Sequence, residues 1–296
     1  MQEGFTRILV AAISVKPEKW DKDGNSTKME ALFREAAGKG AKVALATEGA
    51  LEGMVANDVI RRPELASRLL EISEPLDGRY IVRFRRLAAE LSMCLCFGFA
   101  ERVRNEVFNS AVFIDHAGNV CGVHHKMQFA EGYQRSWFFN RLGDEVRAFD
   151  TPFGRAGILI CNDRWNSTLA RALVLDGAAT IYIPAYGSRR PRQDRAVLSR
   201  ARENGVPVVE ANVGINLIVS KGEIIARERG YDKITMGEIE IPVPQSVAAS
   251  RKVESEFMSA RPSEMRRNYI TTMQAWAKTK ARKRATRRPL VLLRPK

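Results

Sequence analysis

RAGILICNDR, residues 155 to 164, is a short apolar run that ends on one cysteine, Cys161, and continues into polar residues. The run predicts a buried strand, and a helix is predicted from Ser167 to Asp176 directly after it. We therefore expect the thiol on a strand-to-helix turn, where backbone N–H groups can lower its pKa and face an oxyanion. A lone cysteine at the end of an apolar strand is more often inert core, so this stretch alone leaves both interpretations open.

Two charged residues elsewhere in the chain also follow predicted strands. Glu48 comes directly after the apolar stretch from Val43 to Thr47, and Lys126 ends the second strand of a predicted hairpin. Either could be a solvated surface charge. If the three strands run parallel, however, Glu48, Lys126 and Cys161 share the sheet edge at which open α/β folds bind ligands. Nucleophile, carboxylate base and fixed cation are what thiol-based amide hydrolysis requires.

The wider pattern predicts an α/β fold. Short apolar strands alternate with amphipathic helices, which indicates sheets covered by helices, and the predicted hairpins make those sheets mixed rather than purely parallel. The chain has no repeat of solenoid period. We expect one globular domain over residues 1–245, followed by a basic C-terminal extension over residues 246–296 that contains an amphipathic helix.

The net charge of +14 is concentrated at the C-terminal end of the 296-residue chain. Residues 251–296 contain 14 Lys and Arg against 3 Glu, a net of +11. This extension could pack on the body, pack on a second subunit, or bind nucleic acid or anionic lipid. A partly solvated terminal helix is the simpler interpretation, and we prefer it to nucleic-acid binding.

The cysteines and histidines do not form a metal-binding pattern. The four cysteines contain no CxxC pair and the three histidines have no ligand spacing, which argues against structural zinc and against a disulfide framework. No apolar run is long enough to cross a bilayer. We expect a soluble protein in a reducing, cytoplasmic setting.

Three stretches resemble the nitrilase superfamily of carbon–nitrogen hydrolases, whose members use a Glu-Lys-Cys triad. They are VALATEG around Glu48, NSAVFIDHAGNVCGVHHK ending at Lys126, and FDTPFGRAGILICND around Cys161. They occur in the family's order, and the resemblance extends over roughly residues 7–242. It therefore favours the catalytic interpretation of Cys161 over inert core.

The resemblance implies a four-layer α-β-β-α sandwich that pairs into dimers by helix packing around the site. By position, Glu48 is the base, Lys126 the oxyanion donor and Cys161 the nucleophile, and the Asn162 backbone N–H is expected to assist Lys126. Many members carry a second glutamate near the substrate. Glu131 is the candidate here, although its spacing differs from several subfamilies. The family's chemistry implies no metal and no organic cofactor.

The residues after the cysteine bear on the substrate. CNDR is similar to the N-carbamoyl amino acid amidohydrolases, in which case Arg164 would pair with a substrate carboxylate. Alternatively, Arg164 pairs with Asp163 or with a partner subunit. We therefore expect cleavage of an amide or N-carbamoyl bond through a cysteine thioester with release of ammonia. The alternatives are a general small-amide amidase, a nitrilase, or a non-catalytic scaffold with a basic tail that binds nucleic acid or a partner.

Overall fold

The computed structural model describes residues 4–129, 141–187 and 190–243. Its strands form two six-stranded sheets. The first sheet has the order β12-β1-β2-β3-β4-β5. Its strands are β1 (Phe5–Ile13), β2 (Val43–Leu45), β3 (Cys94–Val103), β4 (Glu106–Ile114), β5 (Val120–His125) and β12 (Ile234–Pro242). Strands β1, β2 and β3 are parallel neighbours, and the other pairings in this sheet are antiparallel.

The second sheet has the order β11-β10-β9-β8-β7-β6. Its strands are β6 (Phe149–Thr151), β7 (Gly154–Ile158), β8 (Thr180–Ala185), β9 (Val208–Asn212), β10 (Ile215–Ser220) and β11 (Glu223–Arg229). The central strands β7, β8 and β9 are parallel, whereas the pairings on either side are antiparallel. Both sheets are therefore mixed, as the sequence predicts.

Helices cover the outer faces of these sheets. The α-helices are α1 (Lys22–Gly38), α2 (Ala56–Arg61), α3 (Ala66–Ile72), α4 (Arg79–Leu91), α5 (Ser167–Leu175) and α6 (Pro191–Asn204), with short 3-10 helices at Pro63–Leu65 and Cys161–Trp165. Side chains of α1 and α4 form one buried cluster with the first sheet, and side chains of α5 and α6 form another with the second sheet. A third cluster joins the two sheets to each other. The predicted four-layer α-β-β-α sandwich is confirmed.

Strand β3 illustrates how the sequence produces these layers. Phe97 packs with the helix-side cluster, whereas Cys94 and Cys96 point into the layer between the sheets. Successive side chains of a strand face opposite sides, so a strand with both faces covered is apolar throughout. Cys94 and Cys96 are both fully buried, as this placement requires.

The strand directions bring the ends of β2 and β5 to the same edge of the first sheet. Strand β4 is antiparallel to both β3 and β5, so β5 runs in the same direction as β2 and β3. Glu48, shortly after β2, and Lys126, directly after β5, therefore lie toward the same edge of the first sheet. The basic extension predicted over residues 246–296 lies outside the described residues, so the division of the chain at residue 245 stays a prediction.

Gly98 of β3 allows the close approach that seats the Glu48 backbone. Its N–H donates to the Thr47 carbonyl at 3.0 Å, and its own carbonyl accepts from the Ala50 N–H at 2.9 Å. A Cβ atom at position 98 would lie only 2.6 Å from the Glu48 Cα, a separation that real Cβ atoms do not show. Glycine is needed at position 98 because any side chain there would clash with the Glu48 backbone.

We predict that Gly98→Ala loses about 1–3 kcal/mol of unfolding free energy by overpacking and displaces the Glu48 backbone. Urea unfolding and turnover of the same preparation would measure both effects. Gly38→Ala is the matched control, because a Cβ at that position meets no heavy atom within 4 Å. A Gly98→Ala protein with wild-type stability and wild-type turnover would contradict this role.

Candidate active site

Glu48 lies in the turn that follows β2, in a fully buried position. Its backbone N–H points toward the Ala185 carbonyl, 3.4 Å away, at the end of β8 in the second sheet. Gly49 then adopts a φ of +58°, a left-handed conformation that glycine accepts without steric cost. The chain can therefore turn sharply after Glu48 and leave its carboxylate at the place where the two sheets meet.

Lys126 and Asn109 hold one oxygen of that carboxylate. The Lys126 ammonium donates to Glu48 Oε1 at 2.6 Å, and the Asn109 side-chain amide donates to the same oxygen at 2.7 Å. The Lys126 backbone N–H also bonds to the Asn109 carbonyl at 2.8 Å. Glu48 Oε2 is buried and has no hydrogen-bond partner within the described part of the chain. One carboxylate oxygen is thus fixed and the other is left to act on a nearby group.

Cys161 begins the 3-10 helix between β7 and α5, so the predicted strand-to-helix placement is confirmed. Its φ of 48° is unusual for a residue other than glycine, and such strained conformations cluster at functional sites. The thiol is 8% exposed, and its sulfur lies 3.8 Å from the Tyr186 carbonyl oxygen after β8. Glu48 and Lys126 both act electrostatically on this thiol.

Asp163 connects the nucleophile-bearing turn to the segment that follows Lys126. Its Oδ2 accepts from the Ile160 N–H at 3.0 Å and lies 2.9 Å from His124 Nε2. Its Oδ1 accepts from the N–H groups of Met127 and Gln128, at 3.2 and 2.8 Å. Asp163 is completely buried. A single carboxylate therefore fixes the Cys161 turn, from the second sheet, against the end of β5 in the first.

The electrostatics keep the resting thiol protonated. Burial, and after it the Glu48 carboxylate, raise the pKa of Cys161, although Lys126 and Arg164 act in the opposite direction. Burial would lower the pKa of Lys126, but the charges of Glu48 and Cys161 outweigh it, so that the pKa of Lys126 is raised and the amine stays a cation. A thiol in this state becomes a good nucleophile only when a base takes its proton.

Glu52 is a second buried carboxyl group in the same loop as Glu48. Its Oε2 accepts from the Ala100 N–H at 2.9 Å, and Ala100 is the β-ladder partner of Asn109. Burial, opposed by backbone hydrogen bonds and joined by the charge of Glu48, raises the pKa of Glu52 to about 7. Glu52 therefore anchors the Glu48 loop to β3 at Ala100, which lies opposite Asn109, the residue that binds the Glu48 carboxylate.

Three further residues, Asn162, Arg164 and Glu131, are also predicted to belong to the site. Asn162 directly follows the nucleophile and is partly buried, and its expected part in oxyanion binding stays a prediction. Arg164 is 2% exposed and pairs with Glu210 Oε1 at 2.8 Å. The alternative that Arg164 pairs with Asp163 is therefore wrong, while its contact with substrate stays a prediction. Glu131 lies outside the described residues.

Sequence reasoning missed Asn109, Glu52 and Glu210. Each left a signal that we did not use, because asparagine and glutamate are depleted in strand interiors and buried loops unless a partner holds them. Asn109 interrupts the β4 sequence EVFNSAVFI, and Glu210 interrupts the apolar VVEAN of β9. No cluster of three or more possible ligands for a metal ion occurs among the residues that the structure describes.

Comparison with known proteins defines the class of this chain. A family model of carbon-nitrogen hydrolases matches residues 9–236, so the chain belongs to the carbon–nitrogen hydrolase family. It is an enzyme that hydrolyses carbon–nitrogen bonds other than peptide bonds. No helix in the described ranges has the length and apolar character that a membrane crossing requires.

Particular relatives narrow the comparison. An N-carbamoylputrescine amidase from Solanum lycopersicum is 30% identical over 256 residues, which cover 81% of each chain. A citrullinase from Francisella tularensis is 27% identical over 201 residues, covering 64% of this chain and 68% of that relative. The crystal structure of an amidase from Nesterenkonia sp. covers 90% of this chain and 97% of its own, at 16% identity and a TM-score of 0.68. This last likeness concerns the fold.

We predict that Glu48→Gln moves thiol reactivity and turnover in opposite directions. Glutamine removes the charge that raises the pKa of Cys161, so the pH midpoint of Cys161 alkylation by iodoacetamide falls. It also removes the base, so turnover falls by about 10²–10⁴. Glu35→Gln is the control, because its carboxyl group lies on the surface of α1 and pairs with Lys39. An unchanged midpoint, or substantial residual turnover in Glu48→Gln, would contradict this assignment.

Proposed function

We propose that this hydrolase cleaves an N-carbamoyl group through a covalent intermediate on Cys161 and releases ammonia. The observation that carries the proposal is the asymmetry of the Glu48 carboxylate: Oε1 is held by Lys126 and Asn109, whereas the buried Oε2 is without a partner in the described residues. A carboxylate oriented in this way beside a protonated thiol is suited to act as a general base.

In the first step, Glu48 Oε2 takes the Cys161 proton while the sulfur attacks the carbonyl carbon of the substrate. The carbonyl electron pair moves onto oxygen and gives a tetrahedral intermediate. Lys126, released from its partner once Glu48 is protonated, and the Asn162 N–H stabilise that oxyanion. Glu48 then returns the proton to the departing nitrogen, ammonia leaves, and the carbonyl carbon stays bonded to sulfur as a thioester.

In the second step, Glu48 takes a proton from water, and the resulting hydroxide attacks the thioester carbon. The same donors stabilise the second tetrahedral intermediate, and the thiol leaves with the proton that Glu48 returns. For an N-carbamoyl substrate the product is a carbamic acid, which breaks down to an amine and carbon dioxide. The residues named here complete the cycle, and no redox change occurs.

The relatives favour an N-carbamoyl, or ureido, substrate. N-carbamoylputrescine and citrulline share a terminal H₂N–CO–NH– group, although the first ends in an amine and the second in an amino acid. The CNDR stretch, through its similarity to N-carbamoyl amino acid amidohydrolases, also favours a ureido group. The common ureido group is therefore the substrate feature that we propose. Activity on small amides is the main alternative. Activity on nitriles is a further alternative, because a nitrilase from Pyrococcus abyssi is 28% identical to this chain.

The test is ammonia release from a panel of N-carbamoyl amines, N-carbamoyl amino acids, simple carboxamides and nitriles. We expect the largest kcat/KM for an N-carbamoyl compound and no turnover in Cys161→Ala, which removes the nucleophile but leaves the protein folded. Comparison of N-carbamoyl compounds with carboxamides and nitriles measures the preference for the ureido group. Comparison of N-carbamoyl amines with N-carbamoyl amino acids measures the preference for the charge at the other end of the substrate. Faster turnover of simple carboxamides or nitriles than of every ureido compound would overturn the proposal.

We further propose that the enzyme forms homodimers through the face made by α5 and α6. The 3-10 helix that carries Cys161 continues into α5, so a second copy packed there would brace the site. Leu175 at the end of α5 is 67% exposed and Trp165 is 36% exposed, an apolar surface suited to a partner. A groove between the helices is lined by residues of both, including Arg171 and Asn204.

We predict that Leu175→Glu converts a dimer to a monomer in sedimentation or size-exclusion measurements, because it places a charge in the apolar contact. Ile225→Glu is the matched control, since Ile225 is also exposed, at 44%, but lies on β11 of the second sheet. A Leu175→Glu protein with the wild-type molecular mass in solution would overturn this interface.

We also propose that the enzyme is cytoplasmic, where its four free cysteines stay reduced.

A further inference from the structure

A buried charged cluster adjoins the nucleophile and has no part in the mechanism above. Arg164 lies three residues after Cys161 in the same 3-10 helix. Its Nη1 donates to Glu210 Oε1 at 2.8 Å, and the Gln193 side-chain amide donates to the same oxygen at 2.8 Å. Arg164 is 2% exposed, while Glu210 on β9 and Gln193 on α6 are each 1% exposed. The cluster therefore joins the nucleophile turn to the second sheet and its helix layer.

Stability does not explain this cluster. A buried ion pair loses the hydration of both charges, and well-packed apolar residues often stabilise a protein as well or better. Arg164 Nε is also buried with no hydrogen-bond partner in the described ranges, which leaves a donor unsatisfied in the resting enzyme. An unsatisfied donor beside a reactive group points to a charge that develops there during the reaction.

Cys161 and Arg164 lie three residues apart in one 3-10 helix, where side chains at that spacing fall on the same face, so a charge that develops on the Cys161 sulfur acts on Arg164. Burial would lower the pKa of Arg164, but Glu210 first, and then Cys161 and Glu48, raise it, and a side-chain interaction with Cys161 adds to the effect. Conversely, Arg164 is one of the two cations that oppose the burial and the Glu48 charge at the Cys161 thiol. The other cation, Lys126, is bound to Glu48 in the resting state.

We propose that Glu210 and Gln193 hold Arg164 as a fixed second cation for the Cys161 sulfur, so that Arg164 stabilises the thiolate rather than a substrate carboxylate. This inference rests on the proposed function and deepens it by separating two cationic roles. Lys126 serves the Glu48 carboxylate and then the oxyanion, whereas Arg164 serves the sulfur. Glu210 and Gln193 are positioning residues, which act through Arg164.

The geometry also argues against Arg164 as a carboxylate clamp. A clamp of that kind presents two parallel N–H groups to the ligand. Here Nη1 is engaged by Glu210, and the guanidinium is almost fully buried. The Glu210 charge also cancels that of Arg164 at any distance longer than the pair itself. A substrate anion would therefore be attracted only weakly, whereas the adjacent sulfur would still be stabilised.

The test compares the wild-type enzyme with the double variant Arg164→Gln and Glu210→Gln. Removing either charge alone would leave the other buried without a partner and could prevent folding, but the double change removes both and leaves the net charge unchanged. Alkylation of Cys161 by iodoacetamide is followed as a function of pH by mass spectrometry of the Cys161 peptide. We expect the alkylation midpoint to rise by about one pH unit or more, because one of the two cations that lower the pKa of the Cys161 thiol has been lost.

Steady-state kinetics provide a second readout. We expect kcat/KM to fall by a similar factor, about tenfold or more, for N-carbamoyl substrates with and without a carboxylate, since a one-unit rise in the thiol pKa costs about that factor. Arg192→Gln is the control. Arg192 is exposed and lies over the Trp165 ring, 4.9 Å from its centroid, so this variant removes a nearby cation without touching the buried pair. It should leave the alkylation midpoint unchanged.

Two results would overturn the inference. A folded double variant with the wild-type alkylation midpoint would make the cluster purely structural. A loss confined to carboxylate-bearing substrates, with the midpoint unchanged, would make Arg164 a substrate ligand. Alkylation needs no substrate, so this measurement stands even if the wild-type enzyme hydrolyses no N-carbamoyl compound, an outcome that would count against the proposed function alone.

Discussion

The buried ion pair between Glu48 and Lys126 is the interaction on which the rest of the site depends. Neither charge could be buried alone, because removing one partner of such a pair leaves an uncompensated charge in a medium of low polarity, at a cost of about 3–5 kcal/mol. Their contact of 2.6 Å joins the turn after β2 to the end of β5, with Asn109 of β4 bound to the same oxygen. The pair therefore constrains three strands of the first sheet and leaves the second Glu48 oxygen without a hydrogen-bond partner in the described residues, as the proposed proton transfer requires.

The second sheet supplies Cys161, the proposed nucleophile, so the site is assembled across the layer between the sheets. Apolar side chains from both sheets, among them Cys96 and Ile158, form that layer. Its packing brings the end of β8 to the Glu48 turn, where Glu48 N–H faces the Ala185 carbonyl. Asp163 then bonds to both sides of the junction. Burial of apolar side chains, which has no preferred direction, drives the two sheets together. The few hydrogen bonds across the junction are directional, and they fix how the two sheets are aligned.

The electrostatic arrangement protects the thiol until it is needed. Burial and the Glu48 charge keep the pKa of Cys161 raised, so the resting residue is a thiol and a poor target for oxidants and alkylating agents. In the proposed mechanism Glu48 removes the proton only during attack, and the same transfer weakens the hydrogen bond between Glu48 and Lys126. The negative charge thus moves from carboxylate to sulfur to carbonyl oxygen, while the cations stay in place. Fixed donors that need no rearrangement are the usual source of transition-state stabilisation.

The sequence pattern by itself determined an α/β fold with mixed sheets and singled out Glu48, Lys126 and Cys161, whereas the four layers were implied by the family resemblance. Apolar periodicity reports which faces of a strand or helix are buried, and a charged residue at the end of an apolar strand is visible without any structure, as at Glu48 and Lys126. The order of the motifs then linked these residues to a family. Cys161 needed that link, because a lone cysteine at the end of an apolar strand is more often inert core.

Only the tertiary structure decided which side chains are partners. Arg164 pairs with Glu210, 46 residues away, rather than with its neighbour Asp163, and Asp163 bonds to the segment after Lys126. Asn109 and Glu52 likewise acquire their roles from the pairing of β3 with β4. The physical reason is that periodicity is a local property, whereas the partner of a buried polar group is set by how separate strands and helices pack.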